Sequence, residues 1–193
     1  MTLTFGQPVS VSTIGTVPNI VTAVRTVAAV VLGLAALLHR SPELLVGAYA
    51  TYWVGDIIDG WSARRLGQET RIGAVLDIVS DRACMCVLAG AYLVLRPDAA
   101  APMCVFLLQF MVLDCVLSLA FLGWPIKSPN DFHLVDRLVY RFNWSPPAKA
   151  LNTSAVVVAM LLGWVTLALV LGVALGVLKA WSAHRVLTLR DWS

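Results

Sequence analysis

The stretch Asp56-Ile57-Ile58-Asp59-Gly60-Trp61-Ser62-Ala63-Arg64 places two aspartates three positions apart inside an apolar chain. Asp77 and Asp81 form a second pair in the next apolar segment. A carboxylate at the centre of a membrane helix costs roughly 2.5–3.5 kcal/mol on insertion scales, so aspartates at this depth are retained for a function. Two such pairs so close in sequence therefore indicate one shared site.

The composition indicates an integral membrane protein. Of the 193 residues, 59% are hydrophobic and only 13% are charged, and the mean hydropathy is +0.81. A soluble domain has about 25% charged residues. We therefore predict an all-α membrane bundle that forms a single domain over residues 1–193, with membrane lipids around it and no nucleic-acid partner.

Six membrane-spanning helices are predicted, because a bilayer core requires about 20 apolar residues per helix. The first four cover residues 20–38, 43–62, 72–95 and 101–122. We expect the first helix to start with Pro18 in its first turn and Asn19 as a cap. The apolar stretch 146–181 is too long for one crossing at ~1.5 Å per residue, so we divide it near Gly163-Trp164.

Basic residues collect on one side of this topology. That side holds Arg64, Arg65, Arg71, Lys127, Arg137, Arg141, Lys149, Lys179, Arg185 and Arg190, whereas the other side holds Arg40 and Arg96. The positive-inside rule makes the basic side cytoplasmic and places both aspartate pairs at that face. Many of these cations could serve topology and headgroup attraction alone. The excess of Arg over Lys, with abundant Ala and Val, favours a bacterial source and its plasma membrane.

The spacing of the aspartates predicts a metal site. Residues three or four apart share a helix face, and the turn 66–70 is short enough to aim both faces at one point. Four clustered carboxylates repel one another, and divalent cations would remove that penalty. Oxygen ligands without His or Cys suit Mg²⁺ or Mn²⁺ and do not suit zinc.

Small residues and one arginine accompany the aspartates. Gly60, Ala63 and Gly73 would allow a ligand to approach the helices closely, although helix–helix packing is an alternative role for each. Arg64 offers a planar cation that matches phosphate oxygens. Together these residues favour a substrate that carries a diphosphate.

With these residues in place, the chain resembles the CDP-alcohol phosphotransferase family. The signature of that family is Asp-x2-Asp-Gly-x2-Ala-Arg-x7-8-Gly-x3-Asp-x3-Asp. Every fixed position is filled here, by Asp56, Asp59, Gly60, Ala63, Arg64, Gly73, Asp77 and Asp81. In size and six-span layout the resemblance covers nearly the whole chain.

The resemblance implies a metal-dependent transferase and a role for each signature residue. Asp56, Asp59 and Asp77 would bind two Mg²⁺ or Mn²⁺ ions that hold the diphosphate of CDP-diacylglycerol. Asp81 would be a further metal ligand and the general base for the acceptor hydroxyl, with CMP as the leaving group. The CDP pocket would be lined by Asp56, Asp59, Gly60, Ala63, Arg64, Gly73 and Asp77. Relatives are usually homodimers, and we expect one here.

The acceptor would be a small alcohol or a lipid, and inositol or inositol phosphate is favoured. The second pair, in Leu76-Asp77-Ile78-Val79-Ser80-Asp81-Arg82, is similar to that of phosphatidylinositol synthases. It lacks the Asp-Pro-x-x-Asp-Lys of many phosphatidylglycerophosphate and cardiolipin synthases, which are the alternative within the family.

Three residues are candidates for the acceptor site. Arg137 and Lys149 follow the site in the predicted order, and Asp114 lies about where phosphatidylinositol synthases place an aspartate. Asp114 could instead be a buried polar partner for Arg25 or for another helix.

Three other classes of protein fit the sequence less well. A transporter with intramembrane aspartates would explain the charges, but not the Gly-x-x-Ala-Arg between them. A silent lipid-binding scaffold would tolerate losses in the signature, and none is seen. A prenyl-diphosphate enzyme would usually carry Asp-Asp-x-x-Asp motifs, which this sequence lacks.

Overall fold

The structure is a computed structural model that describes residues 14–189, and in that range it contains helices and no strand. Residues 1–13 and Arg190, which the predictions included, lie outside the described residues. The α-helices are α1 (Val17–His39), α2 (Pro42–Leu66), α3 (Arg71–Leu95), α4 (Ala100–Leu108), α5 (Cys115–Leu119), α6 (Arg137–Asn143), α7 (Pro146–Lys149), α8 (Ala155–Leu161) and α9 (Val165–Thr188). The predicted all-α class is confirmed.

Eight of the nine α-helices of the described range form six rods in the predicted order, and the short α6 lies between the fourth and fifth rods. The fourth rod, Pro97–Gly123, contains α4 and α5 joined by the π-helical segment Gln109–Asp114. The fifth rod contains α7 and α8 joined by the π-helical segment Ala150–Ser154. Within the described range, four rods are long and apolar enough to cross a membrane, namely α1, α3, the fourth rod and α9. The protein is therefore a multi-pass membrane bundle. The turn at Gly163, with φ of 76°, confirms the predicted division before α9.

Local capping fixes where the first three helices begin and end. Thr16 caps α1 by accepting a hydrogen bond from the amide of Asn19 at 3.4 Å. The prediction that Asn19 is itself the cap is therefore wrong. α2 ends at Gly67, whose φ of 63° lies in the left-handed region that favours glycine. Thr70 then caps α3 by accepting from the amide of Gly73 at 3.0 Å, so the connecting turn is as short as predicted.

α1 lies between α2 and α3 and packs on both of them more extensively than they pack on each other. Small residues make the approach close. A methyl group added at Gly33 would lie 3.0 Å from Cγ1 of Val87 on α3, and Ala29, Ala36 and Ala48 are fully buried. The aspartate faces of α2 and α3 therefore meet around a side chain of α1.

Candidate active site

The four predicted aspartates converge at one place in the bundle. Asp56, Asp59 and Asp77 can each offer one carboxylate oxygen such that the three oxygens lie within 4.8 Å of one another. Asp81 lies one turn after Asp77 on α3 and contacts the same central side chain of α1. The aspartates lie six to ten residues from the end of α2 or the start of α3, which is about 9–15 Å along the helices. The predicted convergence of the two pairs is seen in the structure.

Arg25 of α1 occupies the centre of the cluster. Its Nε donates to Oδ2 of Asp59 at 2.7 Å, and its Nη2 lies 3.3 Å from Oδ1 of Asp56. Its Nη1 and Nη2 lie 3.2 Å and 3.1 Å from Oδ1 of Asp81, and Nη2 also donates to Asp77. The Arg25 side chain is only 3% exposed. One guanidinium thus connects all four carboxylates.

The surroundings of Arg25 hold it in this position. Gly55 of α2 lies directly against its stem, because a methyl group added there would come within 2.5 Å of Cβ and 2.7 Å of Cδ of Arg25. The ring of Tyr52 lies 5.5 Å from the guanidinium carbon, a distance at which the ring quadrupole stabilises a cation. The hydroxyl of Thr22 lies 2.8 Å from Oδ2 of Asp59. The close approach of α1 and α2 therefore depends on glycine at position 55.

Exposure differs among the aspartates and shows from which direction a ligand can arrive. The Asp59 side chain is 5% exposed, whereas those of Asp56 and Asp77 are 38% and 40% exposed. Asp81 is intermediate at 21%. Asp59 is therefore held by the protein at the base of the site, while Asp56 and Asp77 face its open side.

Two cations stand at the open side. The guanidinium of Arg64 folds back over Gly60, since a methyl group there would lie 3.4 Å from its Nη1. The Nζ of Lys149 donates to Oδ1 of Asn130 at 2.5 Å, and Lys149 lies near enough to Asp56 to interact with it electrostatically. Arg64 and Lys149 both lie near enough to Asp56 to interact with it electrostatically, so the structure places both beside the cluster.

Two other members of the signature lie at the edge of the site. A methyl group added at Gly73 would lie 2.8 Å from Oδ1 of Asn19, so Gly73 packs against the start of α1. The carbonyl of Ala63 accepts from the amide of Gln68 at 3.0 Å, which places Ala63 in the last turn of α2. For Gly73 the packing role considered from the sequence is seen directly.

Asp114 is not part of the cluster. It lies in a second, mostly buried charged group, where Nη2 of Arg82 donates to its Oδ2 at 2.6 Å and Nζ of Lys179 donates to its Oδ1. The partner predicted for it, Arg25, is therefore wrong, and the alternative of another helix is confirmed by α3 and α9. Lys179 was counted with the basic residues of the cytoplasmic side, but it is a buried partner of Asp114. Its side chain is 4% exposed inside α9.

Arg137 is not brought to the cluster either. It is the first residue of α6 and is exposed, and among residues 14–189 no hydrogen bond or ion pair joins it to an aspartate of the site. Its neighbour Asp136 caps α6 by accepting from the amides of Leu138 and Val139 at 2.8 Å and 3.0 Å. Asp136 also accepts from Nε of Arg185 at 2.7 Å.

The donor set of the cluster fits a hard divalent cation. All the candidate ligand atoms are carboxylate oxygens, which Mg²⁺ and Mn²⁺ prefer. Arg25 balances one of the four negative charges and leaves three. The separation of three ligand oxygens within 4.8 Å is of the size that a shared cation requires.

Arg25 is the residue of this site that the motif analysis missed. The sequence did carry a signal for it, because Arg25 is the one Lys or Arg within α1. A charged residue inside an apolar span marks a functional site by default and requires a partner. The four aspartates were the partners available.

Comparisons with known proteins identify the family. A model of the CDP-alcohol phosphatidyltransferase family matches residues 15–181. A CDP-diacylglycerol–inositol 3-phosphatidyltransferase of Schizosaccharomyces pombe is 49% identical over 41 residues, which cover 19% of this chain and 17% of the relative. The protein of the same name from Candida albicans is 36% identical over 66 residues, covering 34% of this chain and 28% of the relative.

The chain therefore spans less than a third of the length of these two relatives. Both relatives are fungal and give no support to the predicted bacterial source. No solved structure matches the chain. The family model, in contrast, covers the whole aspartate site and all six rods through Trp181. The chain belongs to the CDP-alcohol phosphatidyltransferase family.

Proposed function

We propose that this protein transfers the phosphatidyl group of CDP-diacylglycerol to a hydroxyl of inositol or inositol phosphate, with release of CMP. The observation that carries this proposal is the convergence of Asp56, Asp59, Asp77 and Asp81 on one open-sided site at the same depth of the membrane bundle. The names of the two partial relatives support inositol as the alcohol. Transfer needs a site that grips a diphosphate and activates a weak nucleophile, and the four carboxylates can divide these tasks.

Asp56, Asp59 and Asp77 are the residues that would hold two divalent cations, Mg²⁺ or Mn²⁺. When bound, such ions polarise the diphosphate and stabilise charge on the oxygen that leaves. Asp56 and Asp77 face the open side, where the diphosphate arrives, and Asp59 anchors the arrangement through Arg25 and Thr22. The protein therefore presents a fixed set of oxygens on one side of the substrate.

Asp81 is the proposed general base. Both contacts of its carboxylate with Arg25 are to Oδ1, and Oδ2 is the oxygen that we expect to take the proton. The acceptor oxygen attacks the β-phosphorus, a new P–O bond forms, and the P–O bond to the CMP oxygen breaks. The proton of the acceptor passes to Asp81 and the electron pair of the broken bond leaves on CMP. General base catalysis of this kind contributes about 10²–10⁴-fold.

Arg64 and Lys149 are the proposed cations for the substrate phosphates. Both stand beside the cluster at its open side. The forked guanidinium of Arg64 suits paired phosphate oxygens, and Lys149 acts as a point charge. Gly60 leaves room for the Arg64 side chain to turn toward the site. Lys149 is also the proposed contact for a phosphate on the acceptor.

The open side of the site is proposed to face the cytoplasm. The described cations Arg64, Arg65, Arg71 and Lys127 lie on that side, and Arg40 and Arg96 lie on the other. The positive-inside rule then orients the bundle. A homodimer is proposed from the family resemblance alone.

The proposal is tested by CMP release from CDP-diacylglycerol in detergent, with an acceptor panel of inositol, inositol phosphate, glycerol 3-phosphate, phosphatidylglycerol and serine. We expect release to require a divalent cation and to be greatest with inositol or inositol phosphate. Asp56→Asn and Asp77→Asn keep the side-chain shape and remove a ligand charge, so each should abolish nearly all turnover. Asp98→Asn, an exposed aspartate at the other end of the bundle, is the matched control and should retain full activity. Full activity in either site variant would refute its assignment.

A further inference from the structure

Arg25 joins four carboxylates through three nitrogens, and this geometry goes beyond an ordinary ion pair. Nε contacts Asp59, whereas Nη2 contacts Asp56, Asp77 and Asp81. The Arg25 side chain is 3% exposed, so its guanidinium is held by these carboxylates and has little contact with water. All four carboxylates thus contact this one cation.

Charge balance explains what the guanidinium does. Four carboxylates in contact with one group repel one another because they lie so close together. A planar guanidinium can donate in several directions at once, whereas an ammonium is a compact point charge. Arg25 therefore holds α2 and α3 in the arrangement that the site needs, even without a bound ion.

The same guanidinium opposes the binding of divalent cations at this site. A cation between Asp56, Asp59 and Asp77 would use carboxylate oxygens of three residues that Arg25 already contacts. Two positive groups that share these ligands repel each other, and each oxygen is divided between them. Binding of the cation must then displace or weaken contacts of Arg25.

We propose that Arg25 is a positioning residue that keeps the aspartates assembled in the metal-free protein and lowers the affinity of the site for divalent cations. This inference rests on the proposed metal-dependent function, but it concerns metal binding and stability, which can be measured without substrate. Arg25 neither touches the reacting atoms nor moves a proton in the proposed reaction. It acts through the four carboxylates.

The test uses the full chain in detergent, stripped of metal with EDTA. Binding of Mn²⁺ is measured from the electron paramagnetic resonance signal of the free ion, and thermal unfolding is measured with and without Mn²⁺. For Arg25→Gln we expect Mn²⁺ affinity to rise by at least about tenfold, because a neighbouring positive charge is removed. We expect the apparent Tm in EDTA to fall by at least about 4 °C and to recover when Mn²⁺ is added.

Two further variants keep the result interpretable. Arg25→Lys retains the charge but cannot reach four carboxylates, so its Tm in EDTA should also fall and should recover with Mn²⁺. Lys179→Met removes another buried cation, one that pairs with Asp114 outside the cluster. It should lower the Tm equally with and without Mn²⁺ and leave Mn²⁺ affinity within about twofold.

Several results would overturn the inference. Unchanged or weaker Mn²⁺ binding in Arg25→Gln would show that the guanidinium does not compete. If Arg25→Gln cannot be purified even with Mn²⁺, the Arg25→Lys variant decides. An apparent Tm in EDTA equal to that of the wild type would then also refute the inference. If wild type and Arg25→Gln bind Mn²⁺ with the same affinity while CMP release stays metal-dependent, the inference about Arg25 is refuted and the proposed function is not. If neither protein binds Mn²⁺, the proposed metal-dependent function fails with it.

Discussion

Replacement of Gly55 by alanine gives a sharp test of the packing that builds the site. The added methyl carbon would lie 2.5 Å from Cβ of Arg25, whereas carbon atoms in contact lie about 3.5–4.0 Å apart. Cβ is fixed to the α1 backbone, so rotation of the Arg25 side chain cannot relieve the clash. α1 and α2 must therefore separate by about 1 Å at this level.

The expected magnitude follows from two opposing effects. Overpacking a tight contact costs about 1–3 kcal/mol, and the short distance places Gly55→Ala at the upper end. Alanine in place of glycine in a helix stabilises the folded protein by about 0.5–1 kcal/mol. The net loss of about 2 kcal/mol corresponds to a decrease of about 4–8 °C in apparent Tm for a chain of this size. A displacement of 1 Å at a catalytic site can also cost about 100-fold in turnover.

Gly47→Ala on the same helix is the matched control, because a methyl group there would have no neighbour within 4 Å. It should raise the apparent Tm slightly and leave turnover unchanged. Both variants are compared by thermal unfolding in detergent and by CMP release. If Gly55→Ala matches Gly47→Ala in both measurements, α1 and α2 do not meet closely at Arg25 and the site is described wrongly.

Four further predictions test individual side chains. Asp81→Asn should lower kcat by about 10²–10⁴-fold and leave the affinity for CDP-diacylglycerol nearly unchanged, and a collapse of that affinity would make Asp81 mainly a metal ligand. Lys149→Ala should raise the KM for a phosphorylated acceptor and not that for inositol, because a buried phosphate needs a cation. Arg137→Ala should change neither KM, and a larger effect there would place the acceptor at α6. Asp136→Ala should cost about 1–2 kcal/mol, as the loss of a helix cap does. Burial raises the pKa of the Asp136 carboxyl, but the amides of α6 and Arg185 lower it more, so that pKa lies below its ordinary value. The cap therefore stabilises the protein fully above the unfolded pKa of about 4 and loses this effect as pH falls further. The Tm difference between wild type and Asp136→Ala should be constant above about pH 5 and shrink below about pH 4, and a difference that persists at low pH would contradict this.

The order and bounds of the rods could be predicted because they depend on local information. Apolar runs, the Gly67 turn and the break at Gly163 are read directly from the chain, and the structure agrees to within a few residues for the first four rods. α9 runs beyond the predicted end to Thr188. Its last turns are polar by composition but pack against α6, which only the tertiary structure supplies.

The aspartate site was also predictable, because helical periodicity alone aligns each pair. The position of α1 was not predictable, since the motif lies on α2 and α3 and says nothing about what packs between them. Arg25 was consequently considered only as a partner for Asp114. The group of Arg82, Asp114 and Lys179 was missed for the same reason, because its members come from three helices far apart in sequence.

The central claim is that the aspartate site transfers a phosphatidyl group and does not merely hydrolyse CDP-diacylglycerol. The most direct measurement uses vesicles containing the protein, CDP-diacylglycerol labelled in the cytidine, a second label in inositol, and Mg²⁺. We predict one labelled CMP for each molecule of labelled inositol that enters the lipid fraction, with both products lost in Asp77→Asn. CMP release without incorporation of any alcohol of the panel, or equal incorporation by Asp77→Asn, would contradict the claim.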